Sequence, residues 1–403
     1  MRQLMGKYYD MLCDHTSRLR YPMSFLSEAH VDAGEWQAAR AEVRKLLMFD
    51  PPDVPFDEAV HESYVKDGLS YRRVSYAQPY GPRTEGYLIK PEGADSGAGA
   101  GSGAGADAGA GAGAGAAGKL PAILALHDHG GYKYYGKEKI TAPRDAPELM
   151  KPYQEAYYGG RAWASELAAR GYIVFVPDVF LWGSRKIRPE DLPEWYVQDE
   201  TLKFPAEGAA GSPAYVEAYN RFAGDMESDI AKAFTEAGMT WPGAMLYDDM
   251  RAMDFLLAQP EADAANTGCG GLSGGGLRTV FLAAMDERVK CSVCVGFMST
   301  SEEFALHKVY THTWMMYLPG LSRLMDFADL YSLHGRKPTM TLFDEQDELF
   351  TPKGQHDADE RLRRIYEKMG APEMYEGHFF PGGHKFDVEM QDVAFAFYDK
   401  WLK

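Results

Sequence analysis

Residues 267–285, TGCGGLSGGGLRTVFLAAM, constrain this chain more than any other stretch. Six glycines surround one serine, between a short apolar run and a segment rich in Ala and Leu. Gly271-Leu272-Ser273-Gly274-Gly275 matches G-x-S-x-G, and no other pentapeptide in the chain does. A serine in this setting sits on a sharp strand-to-helix turn that lifts its hydroxyl to the edge of a sheet. The glycines are required because side chains beside such a turn would collide, and the serine backbone is itself costly. The alternative, an incidental Ser in a Gly-rich turn, is opposed by the flanks. Residues 242–257 read as an amphipathic helix, 264–271 as a strand and 277–285 as the next helix.

Strand and helix alternate on both sides of this segment. Residues 1–50 read as helices, above all 34–48, where Trp36, Ala39, Val43, Leu46 and Leu47 recur at helical spacing. Residues 71–76 and 84–89 read as an opening strand pair. Residues 120–127, LPAILALH, and 172–176 have buried-strand character, with a helix at 163–170 between them. Strands at 338–343 and 373–380 follow, and an amphipathic helix at 388–402 closes the chain. This order predicts an α/β-hydrolase fold, with a mostly parallel central sheet flanked by helices and right-handed crossovers. Residues 1–70 are expected to form an N-terminal helical extension packed on the core, and 71–403 the hydrolase domain. The long stretches 189–238 and 298–336 are expected as cap-like insertions. Residues 93–118, almost wholly Gly and Ala, are expected to be a disordered, flexible loop without chemistry.

Charge and composition exclude several functions. A net charge of −17 argues against a nucleic-acid partner, which needs a basic face. No apolar run is long enough to cross a membrane, and the first fifteen residues lack the apolar core of a secretory signal. Four cysteines, Cys13, Cys269, Cys291 and Cys294, are too few and too scattered for a disulfide framework. A cytoplasmic location is expected, and self-association into a homo-oligomer is left open.

A serine hydroxyl becomes a nucleophile when an imidazole takes its proton, and a carboxylate fixes the tautomer of that imidazole. In this fold the three follow the chain order Ser, acid, His. His384 ends the run Pro381-Gly382-Gly383-His384 after the last strand and is the expected base, with His378, inside the strand, its rival. The loop after the preceding strand, LFDEQDELFTP, offers Asp344 and Asp347. Asp347 is preferred as the acid because it lies beyond the strand end, where Asp344 reads as capping the loop. Oxyanion donors are expected from the amides of Gly274 and Gly131, the latter in His127-Asp128-His129-Gly130-Gly131. His127 and His129 have no third ligand nearby, so no metal and no organic cofactor are expected. Tyr310, Trp314 and Tyr317, in the insertion between the serine helix and the acid strand, are expected to line the substrate pocket.

HDHGGYKYYGKEKI, PGAMLYDDMRAMDFL, GCGGLSGGG, THTWMMYLPGL and DELFT together resemble the dienelactone hydrolase-like α/β-hydrolases, and within them the acetyl xylan esterase-like branch. The resemblance covers most of the chain outside the Gly/Ala loop and the first thirty or so residues. It implies a serine carboxylester hydrolase working without a cofactor through Ser273, Asp347 and His384, on a small-molecule ester. The nucleophile of the strict dienelactone hydrolases is cysteine; here it is serine, which favours ordinary esters. A serine peptidase of the same fold and a non-catalytic binding protein are the alternatives.

Overall fold

The computed structural model describes residues 5–27, 35–94, 118–197 and 209–403 of the 403-residue chain. Among these residues nine strands form one sheet: β1 Ala59–Lys66, β2 Leu69–Tyr76, β3 Thr84–Pro91, β4 Leu120–Ala125, β5 Ile173–Pro177, β6 Ala262–Leu272, β7 Cys291–Val295, β8 Thr339–Asp344 and β9 Tyr375–Phe380. Their spatial order is β1-β2-β3-β5-β4-β6-β7-β8-β9. The first three strands pair antiparallel, and β3 pairs antiparallel with β5. From β5 to β9 every pairing is parallel. Parallel strands are covered on both faces, so they need apolar side chains on both. Strands β5, β7 and β8 are accordingly buried along their whole length.

One face is covered by the helices Trp241–Leu257, Gly274–Met285 and Pro352–Lys368, with Glu35–Leu47 outside them. The other is covered by Met150–Tyr158, Trp163–Ala169 and Val388–Leu402. Cys291 and Cys294 are buried in β7, where their thiols pack as small apolar groups.

The expected helical character of residues 1–70 needs correction. Residues 59–66 form the edge strand β1, paired to β2 along its length. Val60 and Val65 face solvent there. No buried face imposes an alternating pattern on AVHESYVK, so the strand is silent in the sequence. Residues 95–117 of the Gly/Ala loop lie outside the described residues.

The glycines of β6 and its turn are there because other backbone occupies the space of a side chain. A Cβ on Gly271 would stand 2.1 Å from the Leu126 carbonyl oxygen, and one on Gly275 would meet the same oxygen at 2.1 Å. Neither neighbour can swing aside as a side chain could. Gly271→Ala is therefore expected to cost about 3 kcal/mol or more of stability in urea unfolding. A variant with wild-type stability would mean that β4 and β6 do not meet this closely.

Candidate active site

Ser273 joins β6 to the helix Gly274–Met285 with φ +58° and ψ −119°. Such a conformation is strained for any residue bearing a Cβ. It is held by the Ser273 N–H, which donates to Val295 O at 2.8 Å, and by the Ser273 carbonyl, which accepts from Leu277 N–H at 2.9 Å. The turn thus fixes the hydroxyl at the C-terminal edge of the parallel sheet, where open α/β sheets place their ligands.

His384 approaches from the far side. Its ring lies against Gly296, where a Cβ would be 3.2 Å from Cε1. Nδ1 is 2.6 Å from Asp347 Oδ2, and Asp347 Oδ1 accepts the Leu349 N–H at 2.9 Å. A proton on Nδ1 leaves the lone pair of the neutral ring on Nε2, the form a general base needs. Burial disfavours the charged imidazole, but the hydrogen bond and charge of Asp347 outweigh it and hold His384 above its ordinary pKa.

Asp344 is the other carboxylate at this ring. Burial raises its pKa to about 7, one oxygen has no hydrogen-bond partner, and the other accepts the Lys385 N–H at 3.1 Å. Asp344, Asp347 and His384 offer ligand atoms within 4.8 Å of one another, the grouping among the described residues that could share an ion. Its closest pair, His384 and Asp347, already satisfies itself.

Because the folded pKa of Asp344 lies above its ordinary 3.8, the folded state holds this proton more tightly. Its contribution to stability is present below about pH 4 and lost as pH rises through about 7. Asp344→Asn is therefore expected to raise unfolding stability at pH 8 and to leave it nearly unchanged at pH 4. An equal effect at both values would contradict the burial of an ionised carboxylate.

Ser273, Gly274, Asp347 and His384 line one cavity of about 720 Å³, together with Gly131, Glu227, Phe297, Tyr310 and His312. Of the three residues expected to bind substrate, Tyr310 is in this wall. Trp314 is not among the wall residues. Tyr317 faces a second, apolar cavity shared with Tyr9, Phe304 and Leu318, and its hydroxyl donates to Val309 O at 2.8 Å. The expected pocket role of Trp314 and Tyr317 is corrected accordingly. Short 3-10 turns at 309–311 and 314–316 divide this stretch, so its three aromatic side chains do not share one wall. His312 takes part in the wall instead, packed among Phe297, Phe304 and Phe350, with burial lowering its pKa to about 4.

The loop after β4 also differs from expectation. Gly131 N–H, expected as an oxyanion donor, donates to His129 Nδ1 at 2.9 Å. From outside the nucleophile turn, the atom nearest a Cβ built on Gly274 is the His129 amide nitrogen, at 2.7 Å. Both Gly130 and Gly131 have positive φ, and a Cβ on Gly130 would overlap the Tyr153 hydroxyl at 1.8 Å. The loop is clamped by side chains from distant segments. His129 Nε2 is 2.7 Å from Glu227 Oε1, which also receives the buried Lys133 ammonium. Thr313 Oγ1 donates to the second Glu227 oxygen at 2.7 Å. Burial alone would raise the Glu227 pKa, but His129 and Lys133 hold it well below the usual carboxylate range. Glu227 lies in the aromatic, acidic stretch before the helix Trp241–Leu257, where no periodicity or motif singles it out.

No family model matches the chain. It is 25% identical over 288 residues, 71% of this chain and 80% of the other, to the Bacillus subtilis (strain 168) protein named "Putative hydrolase YtaP". Among solved structures, a "putative acetyl xylan esterase" from Bacteroides fragilis NCTC 9343 superposes with a TM-score of 0.63 at 14% identity, covering 94% of this chain and 83% of that one. "Glucuronoyl Esterase from Solibacter usitatus" superposes with a TM-score of 0.57 at 16% identity, covering 92% and 94%. Strand order and these likenesses agree: the chain has the α/β-hydrolase fold.

Proposed function

We propose that the chain is a serine carboxylester hydrolase working through an acyl-enzyme on short-acyl esters, such as acetylated carbohydrates. The observation that carries this reading is Ser273 on its strained turn, facing the same cavity as the hydrogen-bonded pair His384 and Asp347. Ser273 Oγ attacks the ester carbonyl as His384 Nε2 takes its proton. The imidazolium, stabilised by Asp347, returns that proton to the leaving alcohol, and water then releases the acid by the same steps. The amide of Gly274 is one oxyanion donor, and the amide of His129 is assigned as the other in place of Gly131.

The names of the relatives, a hydrolase and carbohydrate esterases, support the reaction class and suggest the sugar ester. Among the described residues no helix is long and apolar enough to cross a membrane, and all four cysteines are unpaired.

A panel of p-nitrophenyl esters from acetyl to octanoyl, run beside acetylated xylo-oligosaccharides, tests the substrate class. Acetyl should lead the panel; a peak at octanoyl, with acetylated sugar untouched, would contradict the reading. Tyr310→Ala should raise kcat/KM for butyryl relative to acetyl about tenfold or more, since one methylene in such a pocket is worth about 1–3 kcal/mol. Trp314→Ala should leave the chain-length profile as it is. The reverse pattern would return Trp314 to the pocket.

A further inference from the structure

Lys139, from the motif GKEKI, is the least expected side chain near the site: it is wholly buried yet carries a cation. Its Nζ donates to Asp128 O at 2.9 Å and to His129 O at 3.0 Å, and lies 3.4 Å from Asp128 Oδ2. Asp128 does not depend on Lys139 alone. Tyr158 OH donates to its Oδ1 at 2.5 Å, and Tyr153 OH to its Oδ2. A buried ammonium spent on two backbone carbonyls calls for another explanation than the pairing of one carboxylate.

Peptide geometry supplies it. In a planar trans peptide the C=O of Asp128 and the N–H of His129 belong to one rigid unit and point in opposite directions. The Asp128 carbonyl oxygen is also 3.0 Å from His127 Nδ1, so the ammonium shares in fixing the plane; only the cation draws electron density strongly toward oxygen, which makes the opposite N–H a stronger donor. The nitrogen of that N–H stands 2.7 Å from where a Cβ on Gly274 would be. We infer that Lys139 is a positioning residue, aiming and polarising the His129 amide at the oxyanion through the Asp128 carbonyl. This inference rests on the esterase reading and adds to it a group that never touches substrate.

The charge on Lys139 is also conditional. Burial and the Lys133 charge lower its pKa, Asp128 and Asp178 raise it, and burial prevails, leaving it at about 8. The ring of Tyr153 faces the ammonium at 5.4 Å. As pH rises through about 8 the cation is lost, and the donor should weaken with it.

The test uses the full chain, p-nitrophenyl acetate and three variants. Lys139→Met should lower kcat about 10²-fold with KM within about threefold of wild type, the scale of losing an oxyanion donor. Lys139→Met combined with Asp128→Asn removes both buried charges, which protects folding; kcat should stay as low as in the single variant. If the pair recovers to within threefold of wild type, Lys139 merely neutralises Asp128 and the inference falls. Should neither variant fold, the wild-type profile decides: kcat must decline as pH rises through about 8, and a flat profile to pH 10 overturns the inference. Ser273→Ala is the control for the underlying reading. If wild-type hydrolysis survives in it, the esterase reading and this inference fail together; if hydrolysis depends on Ser273 but not on Lys139, only the inference fails.

Discussion

Replacing Ser273 with Ala is expected to lower kcat for ester hydrolysis by about 10⁴ to 10⁶, because nucleophile, base and acid act as a unit. Stability should change little, since Ala keeps the Cβ that makes φ +58° unfavourable. Ser273→Gly separates the two effects. It abolishes turnover equally but relieves the backbone, so it should unfold at higher urea, by about 1–3 kcal/mol of added stability. A Ser273→Ala protein with a tenth of wild-type activity would remove Ser273 from the reaction. A Ser273→Gly protein no more stable than Ser273→Ala would mean that the turn stores no strain.

Asp347→Asn should reduce kcat by about 10⁴, since an amide in place of the carboxylate favours the wrong imidazole tautomer and cannot stabilise the imidazolium. Asp344→Asn should be mild at pH 7, where burial already keeps Asp344 about half protonated. The pH profile carries the same information. Asp347 holds His384 above its ordinary pKa, and only the neutral ring accepts a proton from Ser273. Activity of the wild type should therefore rise as pH rises through that elevated value, and in Asp347→Asn the acidic limb should move to lower pH. If Asp344→Asn proved severe and Asp347→Asn mild, the acid would be Asp344 and the rest of the site would stand.

The parts of this site that were legible in the sequence are those set by local chemistry. Gly271 to Gly275 announce a turn because only glycine tolerates backbone oxygens so close, and the structure places that turn between β6 and the following helix. Asp347 lies just past the buried run of β8, His384 follows the Pro-Gly-Gly turn after β9, and the two meet at 2.6 Å. What escaped depends on orientation or on long-range packing. Gly130 and Gly131 mark a loop, but which amide is free follows from how His129 turns, and that is set by Glu227, 98 residues away. Trp314 and Tyr317 share an aromatic stretch with Tyr310, and 3-10 turns send the three to different surroundings. Lys139 looks like an exposed lysine in a charged run; its burial is visible only once Asp128, Tyr153 and Tyr158 close over it.

The central claim is that Ser273 is an activated nucleophile, and labelling by a fluorophosphonate followed by intact-mass and peptide analysis tests it most directly. One adduct per chain is predicted, on the peptide containing Ser273, formed more slowly in Asp347→Asn and absent from Ser273→Ala. An unlabelled protein that is folded, or an adduct that persists in Ser273→Ala, would contradict the account.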